Sequence, residues 1–156
     1  MAPYKFAWQK LLDLNTRQKD QAQMQLVEAM AEQHKLEERL ENTKAEIEML
    51  NQQMIDRQQK GTSVASLRQL AEYAHYLQAK LVHERKALLL AKRRTSHTRQ
   101  TVVHYMTEEK KWQKLKRKHL HAWIKQERRK EQMATDEIAG RRHRGYVALG
   151  SEQDER

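Results

Sequence analysis

Between Pro3 and Gly61, and again between Gly61 and Gly140, the chain contains neither proline nor glycine. Runs of this length leave helix as the only regular structure available, because short strands need frequent turn residues and none are present here. Within each run a seam of positions recurs in alternating steps of four and three. From Trp8 the steps reach Leu12, Asn15, Lys19, Ala22, Leu26, Ala29, Gln33, Leu36, Leu40, Thr43, Ile47, Leu50 and Met54, and ten of these fourteen residues are apolar. From Leu67 they reach Leu70, Ala74, Leu77, Leu81, Glu84, Leu88, Ala91, Thr95, Thr98, Val102, Tyr105, Glu109 and Trp112, again with ten of fourteen apolar. A sustained 3.5-residue repeat flanked by Glu, Lys and Arg is the coiled-coil pattern, since that spacing keeps one narrow seam facing a partner helix. A helix lying on a larger core needs a wider apolar stripe.

Gly61 is placed to end the first helix in the left-handed conformation. The pattern predicts an all-α fold, with a single hairpin over 1–139 made of helix 4–59, turn 60–65 and helix 66–139. Pro3 suits the first turn of the first helix. Ser66 and Gln69 read as a capping box for the second, with Ala65 and Leu70 as its hydrophobic staple. A short connection between two heptad helices folds them into an antiparallel coiled-coil hairpin. At 1.5 Å per residue the arms measure roughly 84 and 110 Å, so the second helix overhangs the first. If Met54 faces Leu70, then Leu36 faces Leu88, Ala22 faces Val102 and Leu12 faces Trp112, which leaves Trp123 without a hairpin partner. The segment 140–156, punctuated by Gly140, Gly145 and Gly150 and rich in Arg, reads as a disordered basic tail.

Composition narrows function mainly by exclusion. Cysteine is absent from the 156 residues, which removes disulfide and thiolate chemistry. The longest apolar run, residues 87–91, is far shorter than the roughly 20 residues that span a bilayer. The segment 1–14 has no continuous apolar stretch of the kind a cleaved signal requires. Gly140 and Gly145 have the spacing of a phosphate loop, but Tyr146 and Val147 stand where Lys and Ser or Thr are needed. His97 and His104 share a helix face, but no carboxylate or cysteine completes a metal set with them, and a two-helix body offers no cleft to shift the pKa of Glu37, Glu38, Glu108 or Glu109. The chain is therefore expected to be no enzyme, with no catalytic residue, metal site or cofactor.

Charge is the feature that does point somewhere. Residues 1–59 carry eight Lys and Arg against ten Asp and Glu, a net of −2, whereas residues 60–156 carry 23 against 11, a net of +12. Residues 110–130 hold ten basic side chains and one acid, Glu127, with Trp112 and Trp123 interleaved. Trp and Arg are the residues enriched at interface hot spots, so this segment is the leading candidate surface. Tyr4, Phe6 and Trp8 crowd the N-terminus, which the hairpin register brings near residues 116–120. Tyr73 and Tyr76 sit beside the seam and are expected to lean outward just after the turn.

The opening stretch Phe6-x-x-Gln9-Lys10-Leu11-Leu12-Asp13-Leu14 leads into a Gln/Glu/Ala-rich heptad helix. After the Gly61 turn come Tyr73-x-x-Tyr76-Leu77-x-x-x-Leu81 and a Lys/Trp-rich segment closing on Met133-x-x-Asp136-Glu137-x-Ala139. This order resembles the FliJ family of bacterial flagellar export proteins over nearly the whole chain and, more distantly, the stalk protein of injectisomes. The resemblance implies a non-enzymatic adaptor similar to the rotor stalk of rotary ATPases, cytoplasmic and peripherally associated with the inner membrane at the flagellar base. Its implied partners are the hexameric export ATPase, the export-gate membrane protein and the export chaperones. Carried onto this chain, the ring-contacting residues would be Phe6, Leu11, Leu14, Lys110, Trp112, Lys114, Lys118, Trp123 and Lys125, and the gate-contacting residues Tyr73 and Tyr76. The alternative reading is a basic coiled coil that binds nucleic acid through phosphates. Against it stand the acidic first arm and a basic segment that reads as cationic on several sides. A helix lying on anionic lipid is weaker still, because residues 110–130 lack a broad apolar face.

Overall fold

The computed structural model describes residues 3–151, with side chains as far as Arg144. Two helices make up nearly all of it: α1 over Gln9–Lys60, 52 residues long, and α2 over Val64–Ser151, 88 residues long. They pack against each other as an antiparallel hairpin, and the chain divides into two compact units, Thr16–Thr107 and the combination of Met1–Asn15 with Glu108–Arg156.

The Thr16–Thr107 unit holds the heptad seam. Every seam position from Lys19 to Met54 and from Leu67 to Tyr105 is buried or half-buried, around a cluster of Leu40, Leu81 and Leu88 supported by Leu36 and Ile47. The register is visible at Thr95, whose hydroxyl donates to the Ala29 carbonyl at 3.3 Å. Thr95 sits opposite Ala29 in the same frame that sets Leu36 opposite Leu88. Ala29 is only 2% exposed, and its small side chain lets the two backbones come this close. One heptad flank is marked by the ion pair of Glu32 with Arg94 at 2.8 Å, which joins matching flanking positions of the two arms. Thr43, Glu84 and Thr95 are polar residues buried in this part of the seam, and of their side-chain atoms Thr43 Oγ1 and Glu84 Oε2 have no hydrogen-bond partner.

At the reversal Gly61 has φ +80°, the left-handed conformation expected of it. The cap that follows differs from the expected one. Ser63 caps α2, its Oγ accepting from the Ser66 amide at 3.2 Å and its carbonyl from the Leu67 amide, so the helix begins at Val64. The Ser66 hydroxyl accepts instead from Arg57 Nη1 at 3.0 Å. It is thereby drawn across the turn and away from a capping box with Gln69.

Both helix ends also depart from the sequence-based bounds. α1 starts at Gln9 rather than at residue 4, because the preceding aromatic residues pack against α2 instead of forming a helical turn. α2 passes through Gly140 and Gly145 to Ser151, beyond the expected end at 139. A single helical glycine costs only about 1 kcal/mol relative to Ala, and neighbouring side chains brace the segment through Gln132 with Asp136 and Glu137 with Arg141. Of the expected disordered tail, residues 152–156 lie outside the described residues.

Candidate docking surface near the chain termini

The unit formed by Met1–Asn15 and Glu108–Arg156 is built on aromatic rings rather than on leucines. Pro3 blocks regular helix pairing at its own amide, and the chain runs along α2 until Trp8. The Tyr4 hydroxyl donates to the Lys116 carbonyl at 3.2 Å, and its ring lies 5.6 Å from Trp123 in a tilted arrangement. Phe6 is 8% exposed and meets His119 and Trp8 edge-on at 5.9 and 5.7 Å. Trp8 also meets His119, at 5.1 Å. Such edge and tilted contacts add roughly 0.5–1.5 kcal/mol each beyond area burial. The Phe6 carbonyl accepts from Gln9 and the Trp8 carbonyl from Leu11 and Leu12, which starts α1 at this point.

This arrangement places Tyr4, Phe6 and Trp8 against residues 116–123, as the hairpin register expects. It also corrects one expectation: Trp123 is covered by Tyr4, because the residues before Gln9 are not helical and a non-helical segment can reach further along α2 than a helix of the same length. Within this unit α2 remains half-buried at intervals down to Glu127 and is exposed throughout 128–144, so the stretch without a hairpin partner begins at Arg128, beyond Trp123.

The ring-contact candidates therefore divide into two groups. Phe6 is core, and Trp112 and Trp123 are half-buried, so all three hold the unit together. Leu11 and Leu14, 46% and 52% exposed, face solvent in line with Trp8 at spacings of three, forming an apolar ridge at the start of α1. Lys110, Lys114, Lys118 and Lys125 are exposed.

The ten basic residues of 110–130 are also more ordered than the sequence suggests. Lys111 pairs with Glu108 and Lys130 with Glu127, at 2.7 and 2.8 Å, and Lys116 is half-buried beneath Tyr4. The other seven, Lys110, Lys114, Arg117, Lys118, Lys125, Arg128 and Arg129, are exposed, and among the described residues none makes an ion pair. At 3.6 residues per turn they fall within roughly a third of the helix circumference, turned outward from the seam, with Lys118 and Lys125 toward the edge of that arc nearest Leu115. A run of lysines read linearly appears to surround the helix. Its period of three and four shows one cationic face.

The gate-contact candidates lie in the other unit. Tyr73 and Tyr76 are 48% and 61% exposed and stack on each other, with ring centroids 6.1 Å apart and planes 20° from parallel. They form an outward aromatic step on α2 roughly three to four turns after the reversal.

Among the described residues, no group of three or more His, Cys, Asp or Glu is placed to hold a metal ion, and no helix is long and apolar enough to cross a membrane. The fold is a helical hairpin with an aromatic joint and an exposed cationic face in its terminal unit. The model of the flagellar FliJ protein family matches residues 4–146. The flagellar FliJ protein of Bacillus subtilis (strain 168) is 23% identical over 136 residues, covering 87% of this chain and 92% of its own length. No solved structure matches the chain. The chain belongs to the FliJ family and is a non-enzymatic component of flagellar protein export.

Proposed function

We propose that this chain is an adaptor stalk of the flagellar export apparatus that docks on the export ATPase ring through the unit carrying both termini. The observation that carries this reading is the pairing, in that unit, of the exposed Trp8, Leu11 and Leu14 ridge with seven cations that have no ion-pair partner among the described residues. Exposed apolar side chains beside uncompensated charge are what a partner-covered surface requires. Tyr73 and Tyr76 are the contact to the export gate, and the hairpin escorts export chaperones. Its place is the cytoplasmic side of the inner membrane at the flagellar base, held there by these partners.

The test combines Lys114→Glu, Lys118→Glu and Lys125→Glu, three exposed residues of the cationic face. The purified variant keeps its helicity by circular dichroism and loses stimulation of the export ATPase. Unchanged stimulation would remove this face from the assignment.

A second reading, phosphate-directed nucleic-acid binding, is favoured by the alignment of those seven cations on one face. It requires affinity to fall by about 10³- to 10⁵-fold between about 50 and 200 mM salt if six to ten phosphates are contacted. Pull-down from a motile bacterial lysate at moderate salt after nuclease treatment separates the two. Recovery of the ATPase supports the stalk, and loss of all partners supports nucleic acid.

A further inference from the structure

We infer that the ring-facing unit contains a groove for an amphipathic helix with an acidic flank; this deepens the stalk reading above and rests on it for the identity of the natural partner. In an antiparallel pair each long side of the seam is bordered by like heptad positions of the two arms, as the Glu32 and Arg94 pair shows in the Thr16–Thr107 unit. Leu11 and Leu115 hold that same flanking position in the terminal unit. Leu14 and Lys118, with Lys125 one heptad further on, hold the next position outward on their respective arms.

One side of the seam thus has an apolar floor of Leu11 and the half-buried Leu115, closed at one end by Trp8, which is 40% exposed against His119. Its two walls differ. Leu14 forms an apolar wall on α1, while Lys118 and Lys125 form a cationic wall on α2. Neither lysine makes an ion pair among the described residues.

A helix that fills this groove presents Leu-type side chains at spacings of three and four to the floor and carboxylates along one edge to the lysines. The asymmetry also fixes its direction, because reversing the helix moves its acidic edge from the lysines to Leu14. Anionic lipid or a phosphate backbone would match the lysines and leave the floor uncovered.

The probe is a fluorescent synthetic helix of roughly 18 residues, five turns, with Leu on one face and Glu along one flank, together with a counterpart carrying Lys in place of Glu. The full chain binds the acidic probe and not the basic one. Leu11→Ser with Leu14→Ser weakens binding by roughly tenfold or more, the order expected for loss of an apolar anchor. Lys118→Glu with Lys125→Glu reverses the preference between probes. All four residues are half-exposed or exposed, and circular dichroism verifies that helicity is kept.

Equal binding of the two probes, or binding untouched by the leucine substitutions, overturns the groove. If the probes fail these tests while the purified export ATPase binds the chain and is weakened by the lysine substitutions, the groove fails and the stalk reading survives. If the probes behave as stated and the ATPase neither binds nor displaces them, the groove stands and the stalk reading fails.

Discussion

The two units use the same helices in different ways. In Thr16–Thr107 the contacts are made by Leu40, Leu81 and Leu88 with small residues such as Ala22 and Ala29 between them, at 3% and 2% exposure. In the terminal unit the contacts are made by Tyr4, Phe6, Trp8, His119 and Trp123, while Leu11 and Leu14 are left outside. The leucine seam is narrow and its own side chains are turned inward, while Met24, Val27, Leu89 and Leu90 on the outer faces of the same unit stay exposed. In the terminal unit the non-helical segment before α1 lays Tyr4 and Phe6 on α2. What sets the terminal unit apart is that its exposed apolar ridge shares one unit with seven cations that make no ion pair among the described residues.

The largest test of this contrast is Leu81→Ala. Removing a side chain that is 7% exposed at the centre of the leucine cluster destabilises by about 2–5 kcal/mol, from lost transfer energy and the cavity left behind. Thermal unfolding followed by circular dichroism measures it. In the terminal unit Leu11→Ala changes stability by less than about 1 kcal/mol, because its side chain is already half in water. Equal losses at the two positions would erase the distinction between a closed seam and an open surface.

Glu84→Leu acts in the opposite direction. Glu84 is 9% exposed, sits in the leucine seam, and keeps one carboxylate oxygen without a partner, as does the nearby seam residue Thr43. Replacing a buried, incompletely paired charge by an apolar residue of similar volume stabilises by about 1–4 kcal/mol. The melting temperature rises by several degrees. A fall would mean that Glu84 has a compensating interaction in solution.

These two residues also show what was legible in the sequence. Leu81 and Glu84 both fall on the four-three steps, and both are buried, because heptad position alone decides which side faces the partner helix. Gly61 and the Thr95 register follow from the same count and the rule for ending helices. The terminal unit was less legible, since nothing in the periodicity indicates that residues 3–8 leave the helix to cover Trp123. That depends on ring contacts 112 or more residues apart in sequence, between Phe6 or Tyr4 and positions beyond 115. The cationic face was missed for another reason. The ten basic residues form a run along the sequence, and the ion pairs of Lys111 and Lys130 and the burial of Lys116 show which seven remain on one side. Helical phase applied to 110, 114, 117, 118, 125, 128 and 129 would have found them.

Tyr4→Phe probes the aromatic joint more finely. It keeps the ring beside Trp123 and removes only the hydroxyl that donates to the Lys116 carbonyl. A single neutral hydrogen bond, half-buried, contributes about 0.5–1.5 kcal/mol, and here the loss is local. Trp123 fluorescence and amide exchange in 112–124 report it, while exchange protection around Leu40 and Leu81 stays unchanged. If protection falls equally in both places, the two units unfold as one and the comparison between them describes packing without describing stability.

The smallest effect comes from the flank of the leucine seam. Arg94 and Glu32 are 58% and 56% exposed, so their 2.8 Å pair lies in high dielectric and contributes about 0.2–1 kcal/mol. A double-mutant cycle of Arg94→Ala with Glu32→Ala gives a coupling in that range at low salt, and it shrinks toward zero near 1 M salt as the Debye length contracts to about 3 Å. The leucine contacts beneath are indifferent to salt, so the hairpin register persists when this pair is screened. Seven of the cations between 110 and 129 are exposed and make no ion pair among the described residues, so the proposed ATPase docking predicts that the same salt series weakens that binding far more than it weakens folding. Equal salt responses would separate the packing contrast from the proposed docking.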